Sequence, residues 1–336
     1  MASAGGLSRT DGGPMQYDRL GFPVPRDFDP APGKSAVGDP RDRFGGPNAP
    51  SEPARRRNAG PLKRFVLLLT LGFLVVPALV LPLLAPWARE AVVHWSLERA
   101  AVREARGDVA TAAAEVGRAI EWLDAADAEG RGRLHCWRAM LLLENRQAAA
   151  AVAESGRAVQ LTPTAAQPRR TRALAHVVAG DQDAALADAQ AAVELAGADN
   201  PEALNHRAYV RALVGRELDA ALADVEAALA GSGADTPEFL DTRGFILHLL
   251  GRHQEAIDDL NRSIAATQQA RRQVADRAGH ADPDDIAFRL RSLDHGLAVM
   301  HHHRGLACRA LGLERQAVQD FEIAERKGFD PARGVL

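Results

Sequence analysis

Eleven histidines, two cysteines and a periodic set of charged side chains carry whatever chemistry this chain of 336 residues can perform. The histidines gather at His295, His301, His302 and His303, so a metal site is the first possibility to weigh. Consecutive residues of a helix point about 100° apart, and three in a row cannot converge on one ion. His295 and His302 share a helix face, but no carboxylate or cysteine stands at ligand spacing beside them. Metal binding is not expected. Gly33-Lys34-Ser35 has the ending of a phosphate-binding loop, yet the first glycine of that motif would fall at Phe28 and no strand precedes it. No pairing of a nucleophile with a base appears anywhere. The reading is of a non-enzyme with no catalytic residue, no cofactor and no small-molecule substrate.

The charged set is different, because it repeats. Arg99, Arg138, Arg172, Arg207, Arg243 and Arg304 each precede a small residue, and each is matched downstream by an acid: Glu115, Glu154, Asp188, Asp224, Asp259 and Asp320. Two arrangements would use such rows. The arginines could stand exposed to grip ligand carboxylates, or each could pair with its own acid inside the fold. Which applies depends on the elements that carry them.

Those elements are helices. Alanine supplies 66 positions, 56 of them after Ala88. Alanine is the best helix former and the smallest side chain with a Cβ, which favours helices packed closely and argues against a β-sandwich or barrel. Asn200-Pro201-Glu202-Ala203-Leu204 returns as Thr236-Pro237-Glu238-Phe239-Leu240, each opening like a capped helix with proline in its first turn. Gly107, Gly180, Gly215, Gly251 and Gly312 end first helices, where a left-handed residue must turn the chain. In the second unit Asn145-Arg146 stands in that place. Small residues recur in three registers. They are Ala100, Ala139, Ala173, Ala208, Gly244 and Gly305 on first helices, then Ala112, Ala151, Ala185, Ala221, Ala256 and Ala317, and then Ala119, Ala158, Ala192, Ala228, Ser263 and Ala324 on second helices. Antiparallel helices approach closely only where small faces small. The unit is therefore helix–turn–helix, about six times over.

This pattern, with endings such as Glu255-Ala256-Ile257-Asp258-Asp259-Leu260, resembles the tetratricopeptide repeat (TPR) over roughly 93–331. The resemblance implies an all-α, TPR-like solenoid whose first helices line a concave face that binds a protein or peptide. On the same resemblance the groove candidates are Arg133, Met140, Arg170, Asn205, Tyr209, Asp241, Phe245, His248, His302 and Arg309. Where the family commonly has leucine before the small residue of the first helix, this chain has the six arginines named above. In an antiparallel hairpin these arginines and the acids lie near one level, so the expectation is a ladder of Arg–carboxylate pairs rather than an exposed row. Cys136 and Cys308 fall in distant repeats, which touch only their neighbours, and each is expected as a buried, inert thiol. Between Ala256 and Ala317 the spacing is 61 residues, 27 more than the usual 34. The insertion, about 271–297, predicts a last hairpin with overlong helices that project or fold back on the solenoid.

Ahead of the repeats lie two other regions. Residues 1–64 hold 10 glycines, 10 prolines and 11 Lys+Arg against 7 Asp+Glu, with no apolar periodicity, and read as a disordered basic tail. Residues 65–87 contain no charge, long enough at about 1.5 Å per residue to cross a bilayer core of about 30 Å. Arg55, Arg56, Arg57, Lys63 and Arg64 crowd its amino side, against Arg89 alone close to the other. The positive-inside rule then keeps the tail cytoplasmic and exports the solenoid. A net charge of only -3 gives no reason to expect nucleic acid as a partner. The sequence thus reads as a single-pass membrane scaffold. The alternative is an accessory or regulatory subunit of a membrane enzyme, signalling or secretion complex, with its solenoid in the cytoplasm.

Overall fold

The computed structural model describes residues 85–232, 236–279 and 282–330, with Asp284 described in its backbone only. The tail at 1–64 and the apolar stretch up to residue 84 lie outside the described residues. Among the described residues, no helix is long and apolar enough to cross a membrane.

Twelve helices and no strand make up the described chain: α1 at 85–105, α2 Val109–Trp122, α3 Ala128–Glu144, α4 Ala148–Leu161, α5 Ala166–Ala179, α6 Gln182–Ala196, α7 Pro201–Val214, α8 Leu218–Ser232, α9 Pro237–Leu249, α10 His253–Asp276, α11 Pro283–Ala310 and α12 Glu314–Arg326. They pair in order into six hairpins, and the first helices α3, α5, α7, α9 and α11 also pack each on the next. The fold is the expected TPR-like solenoid.

Local rules set the boundaries. Asp108, Asp127, Asp181 and Asn200 cap their helices by accepting a backbone N–H three residues on. Thr236 occupies the matching place but makes no side-chain cap bond, so the expected parity with Asn200 fails there. Every first helix closes in the same way. The N–H of Asp108, Gln147, Asp181, Arg216, Arg252 and Leu313 each reaches back five residues to a carbonyl, at 2.8–3.0 Å. That closure needs one residue at positive φ. Glycine supplies it in five hairpins, at φ 67–81°, and Arg146 supplies it in hairpin 2, at φ 59°.

The alanines of all three registers are at most 1 % exposed. In hairpins 5 and 6 glycine replaces the first-helix alanine because the facing side chain is larger. A Cβ on Gly244 would lie 2.7 Å from Leu260 Cγ, and one on Gly305 would lie 2.7 Å from Phe321 Cε1. The close crossings read from the small residues are thus present throughout.

The extra residues lengthen α10, the second helix of hairpin 5, to 24 residues and α11, the first helix of hairpin 6, to 28. As α12 has 13, the overlong pair spans hairpins 5 and 6 rather than the last hairpin alone. Arg271 holds the two extensions together with a fork onto Asp294, at 2.8 and 3.0 Å. Ile264, Leu297 and Met300 fill the seam between them. The extension folds back, since Arg291 donates to the main-chain carbonyl of Glu104 in hairpin 1.

Candidate functional site

The ladder forms, and it is internal. Within each hairpin the first-helix arginine reaches its own second-helix acid: Arg99 to Glu115 at 3.0 Å, Arg138 to Glu154 at 3.2 Å, Arg172 to Asp188 and Arg207 to Asp224 at 2.6 Å, Arg243 to Asp259 and Arg304 to Asp320 at 2.6 Å. The four aspartates take a two-nitrogen fork. The two glutamates, one methylene longer, are shared with Arg118 and Arg157 one turn on. The acids are only 3–11 % exposed and the arginines 15–40 %, so the row is not an open grip for ligand carboxylates. Three of the guanidinium groups also rest on the hairpin before them. Arg207 donates to Gln190 and Arg304 to Asn261, both at 2.7 Å, while Arg138 lies over Gly117.

Histidine hydrogen-bonds to the ladder at two rungs, which the sequence reading missed, and His176 Nε2 stands 3.8 Å from Asp188 at a third. Buried His135 sits 2.6 Å from Glu154, and buried His301 sits 2.7 Å from Asp320. Burial alone would raise these two carboxyls. For Glu154 the His135 hydrogen bond and the Arg138, His135 and Arg157 charges outweigh it, and for Asp320 the His301 and Arg304 bonds do, so both end below the usual range. A cavity of about 280 Å³ opens beside the fifth rung, but its Arg243–Asp259 and Arg252–Glu255 lining is already paired.

The groove candidates divide into two groups. On hairpins 2–4, Arg133 pairs with Glu129 at 2.6 Å, and Met140 is 41 % exposed. Arg170 on α5 and Asn205 on α7 each keep a buried atom, Nε and Oδ1, with no hydrogen-bond partner among the described residues. His206 beside them, 8 % exposed, has no well-formed hydrogen bond at either ring nitrogen among the described residues. Burial and the nearby Arg170 charge push its pKa down to about 3, so the ring is neutral. Tyr209 is partly buried against the core of hairpins 4 and 5, and burial together with Asp241 raises its phenol.

On hairpins 5 and 6 the candidates touch one another or late elements of the chain. Asp241 and Phe245, expected on the open face, are each only 8 % exposed, because His303 of α11 comes in on both. Its Nδ1 is 2.9 Å from Asp241, and its ring stacks on Phe245 at 4.2 Å. Tyr209 and Phe245, both groove candidates, therefore pack into a seam between hairpins. His248 lies with its Nδ1 3.2 Å from that of His253. His302 stacks on Phe329 at 4.1 Å, and Arg309 lies over the Phe321 ring. Burial, with the neighbouring Arg309 charge acting in the same direction, lowers His248 and His302 to about 4. Both cysteines are free and buried. Burial raises Cys136 to about 11, against a hydrogen bond from Thr171, and it also raises Cys308. Among the described residues, no group of three His, Cys, Asp or Glu side chains could hold a metal ion.

Comparison with known proteins adds likenesses of fold. TTC0263, a thermophilic TPR protein of Thermus thermophilus, is 20% identical over 60% of this chain and 98% of its own, with a TM-score of 0.44. A tetratricopeptide repeat protein from Parabacteroides merdae ATCC 43184 is 16% identical over 72% of this chain and 95% of its own, at 0.43. YrrB, described as a TPR protein with an unusual peptide-binding site, is 18% identical over 51% of this chain and 84% of its own, at 0.35. No family model and no curated protein matches the chain. The TPR-like fold stands on the chain's own geometry, namely six hairpins with a common closure, three buried small registers and one ladder.

Proposed function

We propose that this chain is a non-catalytic, membrane-anchored scaffold that gathers protein or peptide partners along the first helices of its solenoid. One observation carries the reading. Arg170 and Asn205 occupy matching places on adjacent first helices, and each keeps a buried polar atom without a partner among the described residues. Leaving such atoms unmade costs about 1–3 kcal/mol each, and an extended peptide backbone offers the donors and acceptors that would fill them. The ladder supports the same reading by elimination, since its arginines are committed to the fold.

The anchor rests on the charge-free stretch at 65–87 and on the basic cluster before it. In this reading residues 1–64 stay in the cytoplasm and the solenoid is exported. Helix α1 already runs at residue 85, with Trp87 71 % exposed near its start, which suits an indole at the membrane interface. Two experiments test the proposal. A photo-crosslinking residue at Asn205 should trap partners that the same residue at Gln254, on a second helix, does not. Equal trapping at both sites removes the groove. A reporter at the C-terminus, active in one compartment only, decides which side carries the solenoid, and cytoplasmic activity would turn the reading toward an accessory subunit.

A further inference from the structure

Hairpin 2 is the one hairpin that turns on a side-chain-bearing residue where the other five use glycine, with Arg146 at φ 59°. Left-handed backbone disfavours any residue with a Cβ, so an arginine there calls for a compensating contact. Its guanidinium supplies one, 2.5 Å from Asp330, which lies 184 residues away in sequence. Hairpins of a solenoid touch their neighbours, so a bond from hairpin 2 to the end of hairpin 6 means that the arc closes on itself. Arg291 makes a second closure, onto the Glu104 carbonyl of hairpin 1.

What closes the arc is a short, chemically distinct segment. Beyond α12 the chain turns at Gly328, φ 93°, and sends Phe329 down onto Ala298, Val299 and Ala324, with its ring stacked on His302. Lys327, two residues earlier, pairs with Asp294 of α11. Asp330, one residue later, takes Arg146. An ammonium, an aromatic ring and a carboxylate thus fill three seats in a row. The Arg146–Asp330 pair is exposed, 58 % and 35 %, and exposed pairs hold weakly.

We propose that Asp294, His302 and Arg146 form a docking site for a peptide of the pattern cation, spacer, aromatic, acid, and that the chain's own Lys327–Asp330 segment covers this site until a partner segment of the same chemistry replaces it. The proposal rests on the scaffold reading and names the class of partner. His302 suits the role because it stays neutral above a pH of about 4 and accepts a ring face without needing a counter-charge. The same string occurs once more in the chain. Arg26-Asp27-Phe28-Asp29-Pro30-Ala31 repeats the order of Lys327-Gly328-Phe329-Asp330-Pro331-Ala332. In the anchored arrangement that copy lies across the bilayer from its own solenoid, so the occupant we assign is a partner's segment. The copy nevertheless supplies an independent probe.

The test uses the full-length chain in nanodiscs and two fluorescein-labelled peptides, one with the sequence of residues 325–332 and one with that of residues 24–31. Fluorescence anisotropy should show both peptides binding the Phe329→Ala/Asp330→Ala variant at least about tenfold more tightly than the wild type, whose site is covered. Adding Arg146→Ala should reverse most of that gain, and so should asparagine in place of the acid after phenylalanine in either peptide. Should the double variant lose its helical circular dichroism, Asp330→Ala alone keeps the apolar seat and carries the same comparison. Equal binding to wild type and variant, binding indifferent to Arg146, or no binding to a folded variant overturns the proposal. Partners trapped at Asn205 alongside any of these results would leave the scaffold reading standing.

Discussion

Hairpins 3 and 6 build the same crossing from different materials. In hairpin 3 alanine meets alanine, with Ala173, Ala185 and Ala189 wholly buried around Val210 of the next hairpin. In hairpin 6 the first helix gives up its Cβ, and Phe321 lies against Gly305. The rungs differ as well. Asp188 is bracketed by Arg169 and Arg172, which carry fixed charges. Asp320 is held by Arg304 and by the buried ring of His301. The repeat therefore keeps the combined size at the crossing and the charge at the rung, and leaves open which residues supply them.

The largest effect should come from the rungs. Asp188→Ala leaves two arginines, each about a quarter exposed, facing a seam without their acid. We expect a loss of about 2–3 kcal/mol in urea unfolding, below the range for wholly buried pairs because water still reaches the guanidinium groups. Asp320→Ala should cost less, since it strands one guanidinium, Arg304, where Asp188→Ala strands two. Equal losses would break the contrast. Next come the crossings. Gly305→Ala gives the helix about 1 kcal/mol in propensity but drives a Cβ into Phe321, so a net loss of about 1–2 kcal/mol is expected in thermal melts. Ala173→Gly, the reverse change in hairpin 3, should lose about 1 kcal/mol through propensity alone.

The histidine rungs predict an acid-side difference. The lowered carboxyls of Glu154 and Asp320 give stability that is complete above their unfolded values of 4.5 and 3.8 and is lost as pH falls through their lower folded values. Wild type should therefore lose more stability between pH 5 and pH 3 than a Glu154→Gln/Asp320→Asn variant, read as urea midpoints. His248 and His302 add slope at higher pH. Their rings are at about 4 when folded and 6.5 when unfolded, so between these values the unfolded chain binds more protons and stability falls as pH falls. NMR titration should find both rings neutral down to about pH 4, and a midpoint near 6.5 would remove that slope. The smallest effect is at a cap. Thr236→Asn should gain about 0.5–1 kcal/mol by supplying the bond that Asn200 already makes to Ala203.

What could be read from the sequence followed from what each position is obliged to do. The ladder was legible because arginine and acid recur at a fixed offset and a hairpin leaves them one place to meet. The glycine turns were legible because five of them share a spacing. The groove was not, because nothing local fixes which side of a first helix stays open. Asp241 and Phe245 look like ligand contacts until His303, 62 residues beyond Asp241, closes on them. That contact crosses between repeats, and repeat spacing alone does not say which side chains meet there. Arg146 showed up as a missing glycine, but its partner at the far end of the stack had no counterpart in the pattern.

Because Arg138, Arg207 and Arg304 lie both on their own acids and on the preceding second helix, the solenoid has a grain. Arg207 needs Gln190, and Arg304 needs Asn261, before either is fully seated. Removing the final hairpin leaves every remaining guanidinium of the ladder where it was. Removing the first strips Arg138 of the floor beneath it at Gly117. A chain that emerges from the ribosome amino end first meets these seats in the order in which they are needed, whereas one eroded from its amino end would lose them in that same order.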